Sequence, residues 1–418
     1  MMMKNLQFKS MRKLFYQFVL LSVFTLSIQS SAYAIPSKLY EPLSLFAKIL
    51  YLVESDYVES VDEQKLIEGA IQGMLNSLDP HSIYLSPEYF KELQVDTTGK
   101  FGGIGIELGS KNNILTVVSP IEDTPAFRSG IKAGDKIIRI NGKSTKNMPI
   151  QEAVRLLRGP QGSKITLTIY REGAPDFKEI HITREIIRIK SVKFEKLENG
   201  IGLIRLVAFQ TDTTSELKRA LNELKTRNGD FKGLILDLRN NPGGLLEQAV
   251  QVSDLFLTSG VIVSTKGRRQ PEEVHSAMAE DTEPNYPIVI LINEGSASAS
   301  EILAGALQDH KRATVIGETS FGKGSVQTVI ELEGQRGLKL TIAKYYTPSG
   351  KSIHGIGIKP NFYVTNPKEF EQAVETQPQT KLDQQRLAAI AYLTQRKIPK
   401  EWVSKAPKGK KNHEDNGE

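Results

Sequence analysis

Apolar positions recur at helical spacing near the start of the chain, alternate in the next stretch, and then come in short unbroken runs. Leu43, Leu45, Phe46, Ile49, Leu50 and Val53 form one apolar stripe, and Leu66, Ile67, Ala70, Ile71 and Met74 form another. This spacing predicts helices within residues 35–98. Asp79-Pro80 and Ser86-Pro87 punctuate the end of that segment. From 99 to 185 the period shortens. Ile104, Ile106 and Leu108 alternate, as do Ile165, Leu167 and Ile169, and both runs read as strands. Asn141-Gly142 directly follows an apolar run and marks a hairpin. One helix is predicted between these strands, with Pro149 in its first turn and Ile150, Val154 and Leu157 on one face. Gly159-Pro160 ends it. Residues 186–365 alternate strands and helices. Gly233–Leu238 and Val289–Ile292 read as buried strands. Leu217, Leu221 and Leu224 lie in helical phase before the first, and helices are expected from about Leu245 and over Ser298–Gln308. Such alternation predicts an α/β domain. Beyond 366 the chain is polar, with one short helix expected over Leu382–Gln395 and an unstructured, solvated end carrying Lys405, Lys408, Lys410 and Lys411.

The first 34 residues stand apart. Lys4, Lys9, Arg12 and Lys13 precede an apolar run from Leu14 to Ile28, and Ala32-Tyr33-Ala34 supplies a small-x-small cleavage site. This is the form of a secretory signal. Gln17, Ser22, Thr25 and Ser27 interrupt the run, whereas a membrane span needs about 20 mainly apolar residues. An uncleaved anchor that keeps the protein at the membrane is the alternative. The expected location is outside the cytoplasm, periplasmic or secreted. The whole chain of 418 residues carries a formal charge of +6, and four of those charges lie in the signal, so +2 remains without it. That balance argues little for nucleic acid. Hydrophobic residues make up 39% and charged residues 24%, ample for a large core and unlike a disordered chain. The chain has no cysteine, which excludes thiol catalysis, cysteine zinc sites and iron–sulfur clusters. The six histidines are scattered, so no metal site and no cofactor are expected.

Three Gly- or Ser-rich segments can carry chemistry. Asn293-Glu294-Gly295-Ser296-Ala297-Ser298-Ala299-Ser300-Glu301 joins an apolar strand to a helix. Free backbone N–H groups and a positive helix end meet there, so a serine can act as a nucleophile; helix capping is the plainer use of the same residues. Phe321-Gly322-Lys323-Gly324-Ser325-Val326-Gln327 offers a lysine between glycines. Lys323 and Gln327 share a parity if a strand runs through them, so Gln327 can aim a lysine that serves as a base; a solvated lysine in a turn fits the same residues. Asp237-Leu238-Arg239-Asn240-Asn241-Pro242-Gly243-Gly244 leaves backbone N–H groups open to an anion or oxyanion. In the alternating region, Phe101-Gly102-Gly103-Ile104-Gly105-Ile106 puts glycines before a strand edge, a setting for an extended peptide and its C-terminal carboxylate.

Together these segments resemble the carboxy-terminal processing proteases, serine peptidases with a PDZ domain before a crotonase-like core. The resemblance spans about residues 40–365. It rests on Phe101–Gly105 as a carboxylate loop, Ala133–Ile138 with Asn141-Gly142 as a PDZ hairpin, and Leu156–Pro160 as the end of a groove helix. The segments around Gly243-Gly244, Ser298 and Lys323 complete it, in order. It implies a multi-domain α/β protein: signal 1–34, helical segment 35–98, PDZ domain 99–185, protease core 186–365, and a C-terminal helical segment and tail 366–418. It implies Ser298 as nucleophile, Lys323 as base and Gln327 as the residue that orients the lysine. The oxyanion donors fall on backbone N–H groups of Ala299 and of Gly243 or Gly244. Phe101, Gly102, Gly103, Ile104, Gly105 and Ile106 fall on the peptide site, and Arg158 on a position that can couple the PDZ domain to the core. The implied partners are proteins or peptides with accessible C-termini. The N-terminal helices also suit a homodimer arm. A PDZ adaptor without catalysis is the main rival, and the presence of both Ser298 and Lys323 counts against it.

Overall fold

A computed structural model of the protein describes residues 37–111, 114–121, 123–228, 231–269, 271–367 and 383–404. The expected signal and the basic residues from Lys405 onward lie outside the described residues. The chain divides into two compact units, one ending at Met74 and one beginning at Leu75. The predicted N-terminal stripes form helix α1 (Ser37–Asp56) and helix α2 (Glu63–Asn76). Leu45, Phe46 and Ile49 of α1 are exposed. No helix among the described residues is long and apolar enough to cross a membrane.

The second unit opens with a three-residue strand β1 (Ile83–Leu85) and helix α3 (Pro87–Thr98). The Ser86-Pro87 signal places Pro at the first helical turn, where a missing N–H costs nothing. Strands β2 (Lys100–Gly103), β3 (Ile106–Lys111) and β4 (Ile114–Pro120) come next, then a short helix α4 (Pro125–Arg128). Strand β5 (Lys136–Ile140), strand β6 (Lys143–Ser144) and helix α5 (Ile150–Leu157) follow, then β7 (Lys164–Tyr170), β8 (Lys178–Thr183) and β9 (Glu185–Arg188). The sheet order is β3-β4-β5-β7-β8 with β6 on β5, and every pair is antiparallel. Ile165, Leu167 and Ile169 all point into this module's own core, as their alternation predicts. Asn141 and Gly142 both have positive φ, the geometry of a type I′ hairpin turn. One expectation fails locally. The strand predicted from Ile104 begins at Ile106, because Gly105 at φ +79° breaks the extended run. The side chain of Thr124 packs where a Cβ at Gly105 would sit. Ile104 is still buried, as core rather than as strand. Pairing of β2 with β9 closes the module at its two ends.

The remaining elements are β10 (Val192–Lys196), β11 (Ile201–Leu206), α6 (Thr213–Asn228), β12 (Gly233–Asp237), α7 (Leu246–Asp254), β13 (Val261–Gly267) and β14 (Glu273–Ser276). They continue through β15 (Ile288–Ile292), α8 (Ala299–Asp309), β16 (Ala313–Gly317), β17 (Ser325–Leu332), β18 (Arg336–Tyr346), β19 (Phe362–Tyr363) and α9 (Gln384–Gln395). The sheet β10-β11-β12-β15-β16-β19 is parallel from β11 onward. Its central strands are unbroken apolar runs because both faces are covered. Leu234, Leu236, Ile288, Ile290 and Ile292 join one core cluster with residues of α6, α7 and α8. Ile235, Val289 and Leu291, one residue out of phase, join a second with Ala388 and Ala389 of α9. A second sheet pairs β18 with β1, β13 and β17. The site lies where ligands gather in open parallel sheets, beyond the carboxyl ends of β12 and β15.

Candidate active site

Two turns leave the sheet side by side, after β12 and after β15, and side-chain amides lock them together. Asn240 N–H donates to Asn293 Oδ1, and Asn293 Nδ2 donates to Asn240 Oδ1, each at 2.8 Å. Asn241 O accepts from Ala297 N and from Ser300 Oγ, both at 3.0 Å, and Ser296 Oγ donates to Leu238 O at 2.8 Å. This register seats Gly243 against the serine. A Cβ at Gly243 would come within 2.8 Å of Ser298 Cβ and of Ala299 N, so only glycine fits. Gly243 N–H is engaged by Asn241 Oδ1 at 2.9 Å. Gly244 N–H and Ala299 N–H have no hydrogen-bond partner among the described residues.

Ser298 stands at the entrance of α8 with φ +55° and ψ −116°. Only a Gly-like turn position is at ease there, and a serine held in it signals a site that over-determines its backbone. Glu301, one turn on and 1% exposed, supplies the restraint. Its Oε2 accepts from Ser298 N at 2.8 Å and Lys323 N at 2.9 Å. Its Oε1 accepts from Ser320 Oγ at 2.5 Å and Gly322 N at 2.7 Å. One buried carboxyl therefore ties the Ser298 backbone to the Lys323 backbone. Burial raises the Glu301 carboxyl above its ordinary value, and these four donors oppose that rise. Burial also pulls the Lys323 ammonium down; Lys339 adds to the effect and Glu301 resists it. The Tyr345 hydroxyl donates to Lys323 O and reaches the Ser298 side chain. Lys323 Nζ makes no hydrogen bond to Ser298 or Gln327 in this state, and catalytic pairs commonly tighten only with substrate.

Strand β17 begins at Ser325, so Lys323 lies before it and not on it. A register shift between Val326 and Gln327 adds to this, and the parity argument for Lys323 and Gln327 does not hold. Gln327 spends its amide on Ser325, with Nε2 donating to Ser325 Oγ at 2.8 Å and Ser325 O at 3.3 Å.

In the β module, the carbonyls of Ile104 and Gly105 accept from Ala126 N and Ile121 N, while the N–H groups of Ile104 and Gly105 have no partner among the described residues. Gly102 O accepts from Gly159 N at 3.0 Å, which joins the loop to the end of α5. The Arg158 guanidinium lies over the Phe101 ring, 4.7 Å from its centroid, and its buried Nε is unpartnered. Sequence reasoning quoted Glu301 but missed its role. It quoted Asn240, Asn241 and Asn293 within their segments without foreseeing their contacts, and it did not name Tyr345; these contacts join segments far apart in the chain. Among the described residues no group of three or more His, Asp or Glu is placed to hold a metal.

Comparison with known proteins gives three family matches. Residues 200–364 match peptidase family S41, residues 116–171 a PDZ domain, and residues 23–88 the N-terminal domain of the activating protease CtpB. The chain is 51% identical to a carboxy-terminal-processing protease of Bartonella bacilliformis, over 78% of this chain and 76% of that one. It is 39% identical to the carboxy-terminal processing protease CtpA of Bacillus subtilis, over 81% of this chain and 75% of the relative. Among solved structures, the photosystem II D1 C-terminal processing protease covers 78% of this chain and 95% of its own, at 30% identity and a TM-score of 0.46.

Proposed function

The chain belongs to the carboxy-terminal processing proteases of peptidase family S41, and on that premise we propose that it is an exported serine endopeptidase that takes protein substrates by their C-termini and cleaves them with a Ser298–Lys323 dyad. The observation that carries this reading is the Glu301 carboxyl, which joins the strained Ser298 backbone to the buried Lys323 segment. Neutral Lys323 takes the Ser298 proton as Oγ attacks the peptide carbonyl. The oxyanion meets Ala299 N–H and Gly244 N–H. Lys323 then gives its proton to the leaving amine, and water, with Lys323 again as base, hydrolyses the acyl-enzyme. The amide nitrogen of Gln327 faces Ser325 O, a group that can only accept. Its Oε1 is thereby left to accept from the lysine amine and aim it.

In this reading residues 99–185 form the PDZ module that captures the substrate, and 186–365 form the protease core. A C-terminal carboxylate lies on the N–H groups of Ile104 and Gly105, and the peptide adds a strand beside β3. Arg158, stacked on Phe101 at the end of α5, reports that occupancy to the core. The test uses an unstructured protein with an apolar C-terminus, free or amidated, and the Arg158→Ala variant. The free C-terminus is cleaved faster by wild type, and Arg158→Ala lowers cleavage while peptide binding persists. Equal cleavage of the free and amidated forms, or an Arg158→Ala enzyme of full activity, contradicts delivery through the module.

A further inference from the structure

The turn Asp79-Pro80-His81-Ser82 reaches β18, the strand paired with the one that carries Gln327, at a point the reading above does not use. Asp79 Oδ1 accepts from His81 N at 2.7 Å and Ser82 N at 2.9 Å. Asp79 Oδ2 accepts from Ser82 Oγ at 2.8 Å, and Ser82 Oγ in turn accepts from Thr341 N at 3.2 Å. Thr341 Oγ1 donates to Asp79 Oδ1 at 3.2 Å. Across the β17–β18 pair, Gln327 lies in register with Thr341, and Gln327 Nε2 donates to Thr341 Oγ1 at 3.4 Å. The turn is fixed to the same strand by β1, whose Ile83 pairs with Lys339. Ser82 is fully buried.

Proton counting gives this chain one direction. An ionised carboxylate only accepts. Burial works against the Asp79 charge, but the donors from Ser82, His81 and Thr341 outweigh it and hold the carboxyl below its ordinary value. The Thr341 hydroxyl has one hydrogen, and Asp79 takes it. Its oxygen can then only accept from Gln327, which must present Nε2 to it and Oε1 away from it.

We propose that Asp79 and Thr341 are positioning residues for the base: they fix which end of the Gln327 amide faces Lys323. Without an acceptor at 79 or the hydroxyl at 341, only Ser325 O, at 3.3 Å, still selects the amide nitrogen, so the amide turns over in part of the molecules and a donor NH2 group then faces the lysine amine in place of the acceptor. Residues 79–82, which precede the PDZ module in the chain, thereby belong to the catalytic apparatus. The proposal rests on Gln327 acting on Lys323 as described above.

The test is steady-state cleavage by the full chain carrying Thr341→Val, Thr341→Ser, Asp79→Asn or Gln327→Ala, and the double variant Thr341→Val/Gln327→Ala. Thr341→Val keeps the shape and loses the hydroxyl. Its kcat falls about tenfold, the scale on which a partner that orients a reacting group acts, with KM and thermal midpoint unchanged. Thr341→Ser restores kcat. Asp79→Asn keeps an acceptor for the Thr341 hydroxyl and lowers kcat less than Thr341→Val does. In the Gln327→Ala background Thr341→Val costs nothing more, since its effect runs through that amide. Additive losses in the double variant, or wild-type kcat in Thr341→Val beside an impaired Gln327→Ala, overturn the proposal alone. Wild-type kcat in Gln327→Ala overturns the Gln327 reading and the proposal with it.

Discussion

In the proposed reading Lys323 is the base, and a lysine serves as one only when it is neutral, so the groups around it set the pH at which the enzyme works. Burial depresses its pKa from the ordinary 10.5, Lys339 depresses it further, and Glu301 opposes both. The acid limb of kcat/KM therefore lies below 10.5, with activity rising as pH rises through it. Replacing Lys339 by Gln removes one depressing charge and moves that limb to higher pH. A pH–rate profile of Lys339→Gln that coincides with wild type, or shifts to lower pH, contradicts the electrostatic assignment. At this scale the sequence was partly legible. Ser298 and Lys323 stand in short Gly/Ser-rich segments that single them out, and the roles proposed for them come from the family resemblance rather than from those segments alone. The parity argument that linked Gln327 to the lysine presumes a strand that includes Lys323, and the strand starts two residues later with a register shift. Asn240 and Asn293 are 53 residues apart and their amides meet only in the fold. Glu301 was quoted as part of a motif, yet its four donors come from two separate segments.

Elements with a sustained period were the readable ones. The helix predicted over Ser298–Gln308 forms as α8 (Ala299–Asp309), and the buried runs form β12 and β15, because both sheet faces demand apolar residues. Strands β13, β14 and β18 were not read. Their burial is uneven along the strand, and β1 has three residues, too few to show a period. A short helix was expected in a polar C-terminal segment; it forms as α9, which covers one face of the sheet and whose N-cap Asp383 reaches the turn after β12. Asp383 accepts from Arg239 Nη1 at 2.7 Å and Nη2 at 2.8 Å, while Asp237 accepts from Arg239 Nε at 2.9 Å and Nη2 at 2.8 Å. Burial opposes the Arg239 charge, but the two aspartates outweigh it and raise its pKa. Asp237 still pairs with Arg239 when Asp383 becomes Asn, so the variant loses the charged partner on one side only and destabilises the fold by about 1.5–3 kcal/mol. Urea unfolding of the variant measures this. A loss under about 1 kcal/mol, the scale of a surface pair, contradicts the assignment.

On the scale of the whole molecule, a PDZ module is inserted ahead of a parallel-sheet core, and Asp79 and Ser82 of the chain before that module bond to Thr341 of β18. Order along the chain was legible, since each segment has its own period. The long-range closures were not: β1 joins β18 across more than 250 residues, and no local pattern records that pairing. The account's central claim is that Ser298 and Lys323 cut the chain that the module delivers. The direct measurement is cleavage of an unstructured protein with an apolar C-terminus by wild type, Ser298→Ala and Lys323→Ala. Far-UV circular dichroism and peptide binding are recorded on the same samples. The account predicts cleavage by wild type and none by either variant, with folding and peptide binding intact in all three. Cleavage at wild-type rate by either variant contradicts it and assigns the chemistry to other residues.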